Sequence, residues 1–553
     1  MRVKINTVLS LFILLSLAIA SHPETVPAAS TIPWQEKIDP QVLNPAFQGE
    51  TEYLVILSEQ ADLSAATRLQ TKSEKGTYVF QTLVEVAKRT QSPILRALDA
   101  LDVEHRAYWI VNLVWVRGDQ DSIQAMAERP DVTHIYANPT IRLDEPSVEG
   151  PTPLPLSLDL IRWNITKINA DDVWAAGYDG GDVVIGGQDT GYDWDHPALK
   201  NQYRGWNGSS ANHDYNWHDA IHSGGGVCGA DSDEPCDDYG HGTHTMGIMV
   251  GDDGGANQIG VAPGAKWIGC RNMDQGVGSP ATYIECYQWF IAPTQVDGSD
   301  PQPALAPDVI NNSWSCPTSE GCNPDSLKAA VQAVNAAGIL TVHSAGNAGS
   351  SCSSVNTPGA IYEESFTVGS TSSNDLIAYS SSRGPVTVDG SDRLKPNVSA
   401  PGVSIYSSLR NGAYGNMSGT SMAAPHVAGT AALLLSAEPK LAGEIDEIKT
   451  LIEGTAVPRI DTTCGGSPGG IPNNIYGWGR INAFGAFNGR HQLLIDHTVS
   501  SPQIAPGSLL TYTFTIHHTH LSNPTSGVVL TDRLPENTSF VSASPVYTLN
   551  DDT

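Results

Sequence analysis

Two hydrophobic rhythms divide the chain. Between residues 51 and 140, apolar runs at 53–57, 108–116 and 132–136 alternate with stretches at 80–102 and 122–129 in which apolar positions recur every three to four residues. A period near two fits a strand with one buried face, and a period near 3.6 fits a helix with one buried stripe. A small α+β domain is therefore predicted at 51–145. From 159 to 490 nearly continuous apolar runs such as Val183-Val184-Ile185, Val309-Ile310 and 339–342 alternate with helical patterns such as Leu327, Ala330, Val331 and Val334. Strands buried on both faces read this way, and the alternation implies an α/β domain with a largely parallel sheet covered by helices on both faces. After about 492 short alternating strands are expected at 509–516, 527–530 and 538–541. A β-sandwich needs about 100 residues, so 491–553 reads as a partial β domain, with either the sequence truncated or the last domain incomplete.

The ends and joints carry their own signals. Arg2 and Lys4 precede an apolar stretch at 8–20 that closes with Ala18-Ile19-Ala20. It is too short for a lasting membrane span and reads as a secretory signal at 1–20, cleaved after Ala20. Residues 21–50 read as a spacer. The stretch 146–158 holds Pro146, Pro151, Pro153 and Pro155, which makes it an extended, exposed linker.

Charge and cysteines narrow the function. A net charge of −29 and a pI near 4.7 argue against nucleic-acid partners and anionic membranes. All eight cysteines fall in the parallel-sheet region, and an even count in a secreted chain points to disulfides. The near neighbours are expected to pair, Cys228 with Cys236 and Cys316 with Cys322; Cys270 with Cys286 and Cys352 with Cys464 would complete the set. Irregular spacing without Cys-x-x-Cys argues against zinc.

Four short segments carry candidate chemistry. Gly419-Thr420-Ser421-Met422-Ala423-Ala424-Pro425-His426 sets a serine before an apolar helix, with Pro425 expected in the first turn, where its missing N–H is no loss. Amides and the dipole at a helix start favour the negative charge of an attacked carbonyl, although a serine there is more often only a cap. In Gly240-His241-Gly242-Thr243-His244 a histidine opens another helix, and Asp189 follows the strand containing Val184-Ile185. Alone, each also suits a surface or turn residue, and His244 reads as a packed helix residue. Ser344-Ala345-Gly346-Asn347, the fourth segment, follows the strand expected at 339–342, where Asn is also an ordinary turn residue.

Together these segments resemble the subtilisin-like serine proteases, the subtilases, in which Asp, His and Ser follow in this chain order. Gly260-Val261-Ala262-Pro263, Lys395-Pro396-Asn397-Val398-Ser399-Ala400-Pro401-Gly402 and Gly477-Trp478-Gly479-Arg480-Ile481-Asn482-Ala483 extend the resemblance over about 155–488. Ala265-Lys266-Trp267-Ile268-Gly269 and Pro307-Asp308-Val309-Ile310-Asn311-Asn312-Ser313-Trp314 are most similar to the bacillopeptidase F-like branch.

The resemblance implies a serine endopeptidase needing no cofactor for catalysis. In it Asp189 orients His241, His241 serves as general base and then acid, Ser421 attacks the peptide carbonyl, and the Asn347 amide donates to the oxyanion. Ser313, Trp314, Ser315, Ala345 and Gly346 would bind substrate, with Asn356 at a pocket floor that is often glycine. Structural calcium is unsupported, because Ala198 stands where calcium-binding members carry an acidic ligand. Asp231, Asp233, Glu234, Asp237 and Asp238 read as a solvated acidic loop, and no metal ligands are assigned.

Residues 51–145 resemble the subtilase propeptide, an inhibitor and folding aid, so autocleavage is expected between about 142 and 159. The implied partners are protein or peptide substrates and the chain's own propeptide, for a monomeric, extracellular enzyme. Asp532-Arg533-Leu534-Pro535 resembles the start of an immunoglobulin-like repeat of secreted bacterial proteins; His517, His518 and His520 read as an exposed strand, since neighbours there face opposite ways. The competing readings are a catalytically silent, protease-like surface-binding module and a dedicated processing protease for one partner.

Overall fold

The computed structural model describes residues 33–43, 49–143, 147–149, 161–489, 493–500, 505–518 and the single positions 539 and 542. The signal at 1–20, most of the spacer and the linker from 150 onward lie outside the described residues.

The first domain is built from β1 (Thr51–Leu57), α1 (Lys72–Thr90), α2 (Ser92–Leu101), β2 (Glu104–Tyr108), β3 (Leu113–Gly118), α3 (Gln120–Ala127) and β4 (Val132–Ala137). Its antiparallel sheet runs β2-β3-β1-β4. Two expectations are corrected here. The helix foreseen at 80–102 is two helices meeting at Gln91, because Pro93 in the first turn of α2 lacks the N–H that would continue α1. The strand foreseen at 108–116 is a hairpin, turning at Asn112 with φ +45°. Its turn residues Ile110 and Val111 are apolar because they are buried against the second domain, which hid the turn from a hydrophobicity pattern.

Two short strands, β5 (Ile141–Arg142) and β6 (Ser147–Glu149), leave this domain. The second domain begins with α4 (Trp163–Lys167) and α5 (Ala170–Ala175), followed by β7 (Val184–Asp189), β8 (Trp217–Asp219), α6 (His241–Val250) and β9 (Lys266–Arg271). Next come β10 (Met273–Asp274), β11 (Val277–Gly278), α7 (Pro280–Ile291), β12 (Val309–Asn312), α8 (Lys328–Ala336) and β13 (Leu340–Ser344). The domain ends with β14 (Phe366–Thr371), β15 (Val398–Pro401), β16 (Ile405–Leu409), β17 (Ala413–Ser418), α9 (Thr420–Ala437), α10 (Ile445–Gly454) and α11 (Ala483–Gly489).

The main sheet has the order β15-β14-β13-β12-β7-β9-β8, and every neighbouring pair is parallel. The chain leaves β7 toward β9 on one side and later returns to β12 on the other. Such a reversal opens a crevice beyond the carboxyl ends of the strands, where Asp189 and Asn312 end β7 and β12. One apolar core joins α6, α9 and α10 to one face of the sheet, and a second joins α7 and α8 to the other face and to the first domain.

Four disulfides join Cys228 to Cys236, Cys270 to Cys286, Cys316 to Cys322 and Cys352 to Cys464. Among the described residues no helix is long and apolar enough to cross a membrane. At the C-terminal side β18 (Leu493–Val499) pairs antiparallel with β19 (Tyr512–His518). The strand expected at 509–516 thus starts later, and β18 had not been foreseen. The segments 527–530 and, apart from Ser539, 538–541 lie outside the described residues.

Candidate active site

Asp189 is the last residue of β7 and His241 the first of α6, and both side chains are fully buried. His241 Nδ1 lies 2.7 Å from Asp189 Oδ1. The same oxygen accepts Thr190 N–H at 2.8 Å, while Asp189 Oδ2 takes the Thr245 hydroxyl at 3.4 Å. With Nδ1–H donating to the carboxylate, the lone pair of His241 is on Nε2. That atom is buried and has no hydrogen-bond partner among the described residues.

The start of α6 is held by Asp237. Its Oδ1 accepts from Tyr239 N, Gly240 N and Thr190 Oγ1, and its Oδ2 from Thr243 N and Thr243 Oγ1, all within 2.6–3.0 Å. One carboxylate thus ties the histidine helix to the residue after Asp189. Gly191, at φ +104°, lets the next loop pass, since a Cβ there would come 1.8 Å from Cys236 O.

Ser421 is the second residue of α9, so its amide is one of the first-turn donors with no carbonyl inside the helix. The sequence expectation for Pro425 is corrected: it is the sixth residue of α9, not a first-turn proline. Without its N–H, the Ser421 carbonyl lacks the usual partner four residues on. Ser313 supplies one, donating its hydroxyl to Ser421 O at 3.1 Å, while Ser421 Oγ donates to Ser313 O at 3.2 Å. Asn347 Oδ1 accepts both Thr420 N–H at 2.9 Å and Thr420 Oγ1–H at 3.0 Å. Its oxygen so occupied, Asn347 presents its amide N–H2 as the donor.

Of the other foreseen site residues, Ser313, Trp314, Ala345 and Gly346 are buried and Ser315 is half-buried. Trp314 stacks on Tyr283 with ring centroids 4.0 Å apart. Gly346 O accepts Ser382 N–H at 3.0 Å. Asn356 is half-buried between buried Val355 and Thr357. His244 is buried with Nε2 near Ile405 O and Gly415 O; burial, with the neighbouring His241, pushes its pKa down to about 3.

The acidic loop is more structured than its composition suggested. Asp231 bonds His222, Asp237 holds α6, and Asp238 meets buried Arg271 at 2.6 Å. Burial raises the Asp238 pKa to about 6 against the opposing charge of Arg271. Among the described residues no group of three or more His, Cys, Asp or Glu side chains converges to hold a metal.

Two contacts were not legible in the sequence. β5 pairs antiparallel with β11, setting Ile141 opposite Gly278 and Arg142 opposite Val277, and Leu143 N–H donates to Gly276 O at 2.8 Å. β6 pairs antiparallel with β17, setting Ser147 opposite Ser418, three residues before Ser421. The segment leaving the first domain is therefore bound at two edges of the second domain, β11 and β17, and β17 leads directly into the turn before Ser421. Neither β11 nor β17 carries a chemical motif, so only the assembled fold reveals them as binding edges.

A profile described as the subtilase family matches residues 180–479. Bacillopeptidase F of Bacillus subtilis (strain 168) is 37% identical over 444 residues, 77% of this chain and 29% of that relative. Subtilisin DY of Bacillus licheniformis is 33% identical over 299 residues, 54% of this chain and 91% of the relative. Serine protease AprX of Bacillus subtilis (strain 168) is 34% identical over 274 residues, 45% of this chain and 58% of the relative. The chain thus spans less than a third of the length of bacillopeptidase F.

Proposed function

The chain belongs to the subtilase family, and from that premise we propose that it is a secreted serine endopeptidase made as an autoprocessed zymogen. The observation that carries this reading is the Asp189–His241 hydrogen bond beside a helix whose second residue is Ser421.

In the proposed reaction Ser421 Oγ gives up its bond to Ser313 O and attacks the substrate carbonyl carbon while His241 Nε2 takes its proton. Asp189 stabilises the imidazolium. The carbonyl oxygen becomes an oxyanion and receives hydrogen bonds from Asn347 Nδ2 and the Ser421 amide. Collapse breaks the C–N bond; His241 returns the proton to the leaving amine, and an acyl-enzyme remains on Ser421. Water then attacks the acyl carbon, again with His241 as base, releasing the acid and restoring the hydroxyl.

The pairing of β5 with β11 and of β6 with β17, the strand that leads into Ser421, supports autoprocessing at one of the bonds between Leu143 and Ser147, inside the window expected from the sequence. Four disulfides suit an oxidising, extracellular location. The test is the mass of the secreted protein, wild type beside Ser421→Ala. Wild type loses the segment ending between 143 and 147, and Ser421→Ala keeps it. Retention of full length by a folded wild type would overturn the reading in favour of a silent binding module.

A further inference from the structure

We propose that Glu320 is a substrate-positioning and specificity-determining residue, whose carboxylate receives the backbone N–H of the residue opposite Val277 and selects a basic side chain there. The inference rests on the endopeptidase reading and names a feature of its substrates.

The segment 141–143 alternates. Ile141 and Leu143 are buried in the apolar cluster that includes Tyr283 and Trp314, whereas Arg142 is exposed. Its hydrogen bonds alternate too, as in any extended chain. Leu143 N–H points to β11, so Arg142 N–H points away from it. Sheet order β10-β11-β5 leaves β5 as the outer strand among the described residues, and that outward amide is met by a side chain: Glu320 Oε2 accepts Arg142 N–H at 3.2 Å.

Glu320 is held in place for this. It ends a 3-10 turn, Thr318–Glu320, inside the loop closed by the Cys316–Cys322 disulfide, directly after Ser315. Gly321 follows at φ +103°, where a Cβ would come 3.2 Å from Pro139 Cβ. The loop is thus pressed against the segment it binds. A carboxylate at that amide favours a cation on the same residue and opposes an anion, and the chain's own segment carries Arg142. At an exposed site such a preference is a matter of a few-fold.

The test uses the mature enzyme and peptides matching residues 139–147 with Arg, Ala or Glu in place of Arg142. Wild type is expected to prefer Arg over Glu by about threefold to tenfold in kcat/KM, mainly through KM, and less at high salt. Glu320→Gln and Glu320→Ala bring the ratio near one, with Glu320→Gln, which keeps an acceptor oxygen, the closer to wild type on the Ala peptide. An Arg-to-Glu ratio unchanged in Glu320→Ala, with thermal midpoint and disulfide intact, would overturn the proposal. The same ratio read as Kd in a Ser421→Ala background separates the two readings: failure of every peptide to be cut by wild type counts against the protease, whereas equal Kd values for the three peptides count against Glu320.

Discussion

Asn347 and Ser313 bear on the proposed nucleophile, Ser421, in different ways. Asn347 is oriented by two bonds from Thr420 and aims donors where charge develops in the proposed transition state. Asn347→Leu is therefore expected to lower kcat by about 100-fold to 1000-fold with KM little changed, which steady-state kinetics on a peptide substrate would read. Ser313 instead satisfies the Ser421 carbonyl that Pro425 leaves without a helical partner. Ser313→Ala orphans a buried carbonyl and is expected to cost about 1–3 kcal/mol of stability, measured by denaturant unfolding of the Ser421→Ala protein. Asp189, His241, Asn347 and Ser421 were legible because each stands in a short motif at the end of a strand or the start of a helix. Glu320, Gly276 and Thr420 were not, since what they do depends on which distant segment lies against them.

At the scale of elements, one buried cation holds a whole loop. Arg271, the last residue of β9, donates to Asp219, to Asp238 and to the carbonyls of Gly225 and Gly229. It fastens the disulfide-closed loop of Cys228 and Cys236 beside the start of α6. Arg271→Met leaves two buried carboxylates without their cation and is expected to destabilise by about 3–5 kcal/mol, read as a lowered unfolding midpoint. The alternation of strands and helices could be foreseen from hydrophobic period, although the single helix and single strand expected at 80–102 and 108–116 each became two elements. Two of the errors fall where a tertiary contact overrides the local pattern: an apolar turn at Ile110 and Val111 that packs on another domain, and an internal Pro425 tolerated because Ser313 replaces the missing bond.

At the scale of the molecule, the two domains meet at a buried carboxylate. Glu285 on α7 faces His218 at 3.0 Å and His222 at 2.9 Å from its own domain, with Asp231 behind His222. From the first domain it accepts the Tyr108 hydroxyl at 2.8 Å and faces Arg106 at 3.7 Å. Burial opposes charge on His222, but its bonds to Glu285 and that residue's charge win, and the pKa is raised above 6.5. Burial likewise opposes charge on Glu285, and the two histidines hold its pKa below 4.5. The His222 contribution is therefore complete below pH 6.5 and lost as pH rises through the raised value; that of Glu285 is complete above 4.5 and lost as pH falls through the lowered one. Comparing thermal midpoints of uncut Ser421→Ala with and without His222→Gln isolates the pair: the difference is expected to be largest between 4.5 and 6.5 and to fade in alkali.

The segment leaving the first domain is held by two strands of the second, β11 and β17. While the chain is whole, the first domain meets the cleft at an effective concentration set by a short tether, on the order of millimolar. A single cut would turn the same contacts into a bimolecular equilibrium governed by how much protein is present. In a confined volume the severed piece would rebind and keep the cleft occupied, and after dispersal into a large one it would drift away. Under the proposed zymogen reading, activity would be released by dilution, with no second signal required.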